Sequence, residues 1–214
     1  MPGPSFKRRF IVPGAVLVGL VLTYWFPLFR IVPLEQVAAA NANQKFDAAA
    51  FAKDFWSKQL VPSFEQATDA AELIPAIQSD PETARKTFGK SVGIGRVYYY
   101  FLRGVGTVTA VDKSGVHLSM TDQPDVVLKT GLLFGNTIRD ATGQLIAGNF
   151  ANSQDFNAVS KELNRIVEKD IQPALKSQAQ VGAKIRFVGC AEVRASNKKI
   201  LPLTVIPLQV EFPE

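Results

Sequence analysis

Few side chains in this sequence have the chemistry to move a proton, attack a substrate or hold a metal. Among 214 residues there is one histidine, His117, and one cysteine, Cys190. One of each is too few for a multidentate zinc or copper site, and a Ser-His-Asp relay would have to run through His117 itself. In "GVHLSM" His117 alternates with Val116 and Leu118, which places it outward on a strand. Cys190 sits within "KIRFVGCAEV", the pattern of a strand in which a small apolar residue is buried, and it has no partner for a disulfide. Acid–base work would therefore fall to carboxylates. Asp122 and Asp125 flank a proline in "TDQPD", where aspartate bonds local backbone donors. Asp140 follows Arg139 in "NTIRD"; on a strand such neighbours point to opposite faces, and the pair reads as structural. No second carboxylate has a fixed spacing to Asp140, so the two-carboxylate arrangement of a glycosidase is not legible. No catalytic residue, metal site or cofactor is assigned, and the chain is read as a non-enzyme.

Two other stretches resemble ligand sites at first sight. "GIGRVY", from Gly93, holds half of a dinucleotide fingerprint. It lacks the third glycine and leads into a strand, whereas pyrophosphate binding needs a helix N-terminus there. "YYYF", Tyr98 to Phe101, has rings that could stack on sugars or bases, but alternation puts two on each face, so one pair is expected in the core. The segment "FANSQDFNAVSKELN" offers Asn152 or Ser153 as a helix cap, with Gln154 and Asn164 as further hydrogen-bonding residues.

The elements that must position these residues begin with a membrane segment. Phe10 to Phe29 is an uncharged run of 20 residues, enough at about 1.5 Å per residue to span the hydrocarbon of a bilayer. Lys7, Arg8 and Arg9 precede it, which keeps residues 1–9 in the cytoplasm and exports the rest. Tyr24 and Trp25 fall at the outer interface, where amphipathic rings settle. A cleaved signal peptide has a shorter apolar core and a closer small-residue site than "AAANA" provides, so a retained single-pass anchor is expected. The net charge of +5 is largely that of this tail: residues 1–30 contain four basic and no acidic side chains, leaving 20 basic against 19 acidic in the rest. A nearly neutral exported body lacks the field that attracts nucleic acid, and no nucleic-acid partner is expected.

Residues 30–45 form a connector and 46–214 the exported domain. Asp47 should cap a helix carrying Phe51, Phe55, Trp56 and Leu60 on a core face, with Phe46 and Phe51 as a hydrophobic staple. A second helix runs from Asp69 to Gln78. A third begins with Asp80 as cap and Pro81 at its first position, and ends at Gly89. From Tyr98 the period changes to that of strands, with a hairpin turn at Asp112–Gly115, a second turn at "TDQPD", a strand over Val126–Lys129, and a fourth strand within "LLFGNTIRDATGQLIAG". A long helix follows from about Ser153 to Lys176, which Pro173 should bend or end. Two strands close the chain; Pro202 and Pro207 suggest that the last is an edge. Helices over 46–89, then strands with one inserted helix over 96–214, indicate an α+β fold built on a small antiparallel barrel of the OB type.

In order, "FDAAAF", "GVGTVTAVD", "GNTIRDA", "FANSQDFNAVSKELN" and "GAKIRFVGCAEV" resemble the bacterial family called domain of unknown function 2291, predicted periplasmic lipoproteins. The likeness covers roughly residues 30–212. It implies a small barrel with helices and an accessory role beside sugar ABC transporters at the cytoplasmic membrane. It implies no catalytic residue; the matching polar positions, Arg139, Asp140, Asn152, Gln154 and Asn164, are the binding candidates. Members commonly carry a lipobox cysteine where the hydrophobic run ends, whereas "TYWFPLFRIVP" has none. The leading expectation is a membrane-anchored extracytoplasmic accessory protein. A carboxylate-dependent hydrolase of envelope glycans and an OB-like nucleic-acid-binding module are the alternatives.

Overall fold

One strand organises the domain. β3, Val97–Asp112, is 16 residues long, and it pairs with two different strands along its length. The structure, a computed structural model, describes residues 46–92, 96–120, 124–197 and 199–213. The tail 1–9, the expected anchor 10–29 with Tyr24 and Trp25, and the connector 30–45 lie outside the described residues, as do Gly93–Gly95 and Asp122. Among the described residues no helix is long and apolar enough to cross a membrane.

The described part opens with α1, Ala48–Phe55, which continues as a π turn over Trp56–Leu60 and a 3-10 turn over Val61–Gln66. Asp47 caps it, accepting from the amides of Ala49 and Ala50 at 3.0 and 2.9 Å. A two-residue strand, β1 (Thr68–Asp69), precedes α2 (Ala70–Ser79), which Asp69 caps through Ala71 N at 2.8 Å. In α3, Pro81–Phe88, Asp80 caps, Pro81 opens and Gly89 closes the helix, as their types predict. After β2 (Lys90–Ser91) and β3 come β4 (Gly115–Ser119) and β5 (Pro124–Lys129). Next are α4 (Thr137–Ala141), a 3-10 turn at Ala147–Asn149, and α5 (Ser153–Ile166). A π turn over Val167–Ile171 leads into α6 (Gln172–Gln178), and β6 (Lys184–Arg194) and β7 (Leu203–Glu211) finish the fold.

β3, β4, β5, β7 and β6 hydrogen-bond in that order, and β6 pairs back onto β3, so five strands close a ring with no free edge. All contacts in the ring are antiparallel except β5–β7, which is parallel. This is the expected barrel, with one parallel pair and with the helical insertion α4–α6 between β5 and β6. Leu102, Val108, Leu118, Leu128, Phe187 and Val205 fill it, and α2, α3 and α6 add Leu73, Ile74, Ala84 and Leu175 to the same core. Tyr100 of "YYYF" belongs to that core and its neighbour Tyr99 is buried as well, while Tyr98 and Phe101 are half-buried, so one ring of each alternating pair is buried instead of one whole pair.

Two expectations fail, each for a definable reason. The last strand is not an edge: β7 lies between β5 and β6. Pro202 precedes the strand, and Pro207 stands opposite Gly189 where the β6–β7 register shifts, so its missing donor interrupts no regular ladder. Residues 137–141 form the helical turn α4 in place of a fourth strand. All five residues are buried, so Arg139 and Asp140 do not point to opposite faces of a sheet. Of the two outcomes expected at Pro173, an end is excluded, since the helical run passes through it to Gln178. The π turn immediately before it opens the hydrogen-bond ladder where the proline ring would otherwise clash.

Candidate functional site

Polar side chains gather in two adjoining places on the helical insertion. The first is a clamp around α4. Arg139 Nε and NH2 donate to the two oxygens of Asp140 at 2.7 and 3.1 Å, a bidentate pair in which both side chains are almost wholly buried. The guanidinium also donates to Asn157 Oδ1 at 3.0 Å and lies 3.7 Å from the centre of the Phe156 ring. Phe156 packs on Phe150 and Phe150 on Phe51, at 5.0 and 5.3 Å between ring centres, so the pair joins α4 to α5 and α1. On the barrel side Thr137 donates to Glu192 at 3.1 Å. Burial, reinforced by the nearby Asp140 and Glu192 carboxylates, pushes the Tyr99 hydroxyl up to about 12. Tertiary structure therefore brings a second carboxylate into the neighbourhood of Asp140. Both Asp140 oxygens are already engaged by Arg139, however, which suits a structural fastening better than proton transfer.

The second place is a groove of about 410 Å³ between α5 and the loop that follows β5. Asn164, Glu168 and Gln172 stand four residues apart along the helical run, and all three brace that loop. Asn164 Nδ2 donates to the Gly135 carbonyl at 3.2 Å, and Leu133 N donates to Glu168 Oε1 at 2.6 Å. Gln172 makes a two-way contact with the backbone of Gly131, at 3.0 and 2.9 Å. Gly131 and Gly135 both have φ of +87°, a conformation that glycine adopts without a steric penalty. The braced loop buries Leu133 and leaves Leu132 and Phe134 outside, 70% and 75% exposed. A larger cleft of about 530 Å³ runs beside β3 and β6. Its arginines are already paired, Arg103 with Glu65 and Arg186 with Glu211, each at 3.1 Å.

Comparison with known proteins places this architecture. Residues 19–211 match the model of a family described as predicted periplasmic lipoprotein (DUF2291). The chain belongs to this family. The crystal structure of an OB-fold protein from Thermotoga maritima MSB8, at 1.90 Å resolution, is similar to this DUF2291 protein with a TM-score of 0.72 and 28% identity. The likeness covers 79% of this chain and all of that one. No curated protein matches it. The family description assigns its members to the extracytoplasmic side of the membrane, in keeping with the location expected for residues 46–214.

Of the five binding candidates in this DUF2291 protein, Arg139 and Asp140 form the clamp and Asn164 borders the groove. Asn152 is the helix cap expected of it, accepting from Asp155 N at 2.8 Å. Gln154 is exposed on the first turn of α5 and belongs to neither place. Sequence reasoning missed Asn157, Ser160, Glu168 and Gln172, and it missed the exposed pair Leu132 and Phe134. A signal existed for two of them: Glu168 and Gln172 continue a polar stripe from Asn164 at helical spacing. The remainder depends on which loop packs against that stripe.

His117, the residue on which a Ser-His-Asp relay would depend, has the wrong geometry for one. Its Nε2 lies 2.9 Å from Asp112 Oδ2 and 3.1 Å from Ser114 Oγ, so acid and hydroxyl share one ring nitrogen instead of facing two. The three residues lock the β3–β4 hairpin. The Ser114 hydroxyl and amide bonds, with His117 adding charge, hold the Asp112 carboxyl down at about 2. A depressed carboxyl stabilises the fold above its unfolded value of about 3.9, and this contribution is lost as pH falls toward 2. Asp112→Asn should therefore lower the urea midpoint at pH 7, with the gap from wild type closing by about pH 2. A gap that persists at pH 2 would show that ionisation is not what stabilises the turn. Cys190 is buried as predicted, and burial raises its thiol pKa.

Proposed function

We propose that this DUF2291 protein is a membrane-anchored, non-enzymatic accessory module that works outside the cytoplasm beside a sugar ABC transporter. The observation that carries the docking part of this reading is the braced loop. Three polar side chains of the α5–α6 run are spent on a loop that exposes a leucine and a phenylalanine. Exposed apolar pairs on a preorganised backbone are a common feature of protein interfaces. The anchor rests on the uncharged run Phe10–Phe29 behind Lys7–Arg9, and the transporter on the family resemblance. The body's near-neutral charge and the paired arginines of its larger cleft weigh against a nucleic-acid-binding barrel.

Two measurements test the proposal. A reporter fused after Glu214 should be active only outside the cytoplasm; activity confined to the cytoplasm would overturn the topology. Purification of the full chain from its native membrane in mild detergent should bring a transporter permease or binding protein with it, and recovery of the chain alone would remove the accessory role.

A further inference from the structure

The groove has properties that narrow what it receives. Its rim is apolar, since Leu132 and Phe134 project beside it. Its lining includes Ser160, only 4% exposed, whose buried Oγ has no hydrogen-bond partner among the described residues. A buried hydroxyl left in that state lacks about one hydrogen bond's worth of stabilisation until a partner group arrives. Three charged residues also line the groove. Glu168 is committed to the loop amide of Leu133, and Arg165 is held by both oxygens of Glu162 at 2.9 Å. Lys161 makes no ion pair among the described residues. The groove therefore offers an apolar lip, one unmet hydrogen-bonding group and one uncommitted cation.

We infer that this groove docks a peptide segment of a partner protein carrying an apolar side chain next to an acidic one. The inference rests on the accessory reading and deepens it by naming the surface and the chemistry of its partner. The apolar side chain packs against Phe134 and Leu132, the carboxylate meets Lys161, and the Ser160 hydroxyl, rotating about its χ1 toward the groove, bonds a backbone amide or carbonyl. A concave site of about 410 Å³ suits one or two side chains. A lipid surface, being flat on this scale, would cover the rim and leave the Ser160 hydroxyl unmet. Because the loop is already braced in its outward form, little ordering is needed on binding.

The test selects binders for the full chain in detergent from a random dodecapeptide library displayed on phage. Selected peptides are expected to share an apolar residue beside Asp or Glu. A synthetic representative should bind at least about tenfold more weakly to Phe134→Ala and to Lys161→Glu, both with unchanged circular dichroism and melting temperature. Replacing the peptide's acid with lysine should restore binding to Lys161→Glu. Peptides without that pairing, or binding indifferent to both substitutions, would overturn the inference. Displacement of the representative by a synthetic peptide of residues 30–45 would assign the groove to this chain's own connector instead. Phe134-dependent binding to phosphatidylglycerol–phosphatidylethanolamine vesicles, with no peptide selected, would assign it to lipid. The failures separate cleanly. Transporter subunits that still co-purify with the Phe134→Ala/Lys161→Glu double variant would refute this surface and leave the accessory role standing.

Discussion

Asp140→Asn is expected to lower the unfolding free energy by about 3–5 kcal/mol, the loss typical of breaking a buried ion pair from one side. The substitution is nearly isosteric, so the effect is electrostatic. It leaves the Arg139 guanidinium buried and positively charged, with the amide oxygen still accepting from one of its donors and the amide NH2 set against the other. The loss should spread beyond α4, because the same guanidinium bonds Asn157 and lies over Phe156. Urea unfolding of the described domain measures it. The double variant Arg139→Met/Asp140→Leu should be less destabilised than Asp140→Asn, since it removes both charges together. The same experiment bears on the glycan-hydrolase alternative. A catalytic Asp140 predicts that an activity vanishes while stability holds, whereas the clamp predicts that stability itself falls.

Gly189→Ala should be nearly as damaging, at about 3 kcal/mol, or a fall in melting temperature on the order of 6–12 °C for a domain of this size. A methyl group at this position would meet the Ile206 carbonyl oxygen at 2.6 Å and collide with Val205 Cγ1 inside the barrel. Five strands enclose a narrow interior, and at the β6–β7 register shift, where Gly189 faces Pro207, the Ile206 backbone leaves no room for a Cβ. Val205→Ala in the same chain should recover part of the loss by clearing the side-chain collision. It cannot recover all of it, because the carbonyl belongs to the backbone. Full recovery, or no effect of Gly189→Ala, would show that the barrel can widen there.

Much of the fold was legible because much of it is local. Asp47, Asp69 and Asp80 cap the helices that their positions announce, each bonding an amide two or three residues ahead. The Asp112–Gly115 turn, the burial of Cys190 and the amphipathic face of α5 likewise follow from neighbours within one turn or one strand pair. The order of elements was enough to indicate an OB-type barrel. The errors arose where a local rule met a tertiary exception. Proline marks an edge strand unless a bulge accommodates it, as at Pro207, and a glycine-bounded stretch reads as a strand unless burial on all sides favours a helical turn, as at 137–141. The site was less legible. Arg139, Asp140 and Asn164 could be singled out, but their roles could not, and Leu132 and Phe134 look like ordinary core residues until the loop is seen to turn them outward.

The sequence by itself determined the N-terminal caps of the first three helices, the hairpin, the class of fold and the family, along with an expected anchor at Phe10–Phe29. These follow from periodicity, capping chemistry and composition, which act over a few residues. Only the tertiary structure decided how β7 inserts between β5 and β6, how Arg139 and Asp140 pair, and which residues form the groove. The decisive bonds there join Asn164 to Gly135, Glu168 to Leu133, Gln172 to Gly131 and Thr137 to Glu192, across 29, 35, 41 and 55 residues of chain. Packing of the insertion's helices on its own loop and on β6 brings such partners together, and no local pattern encodes which side chain will be waiting.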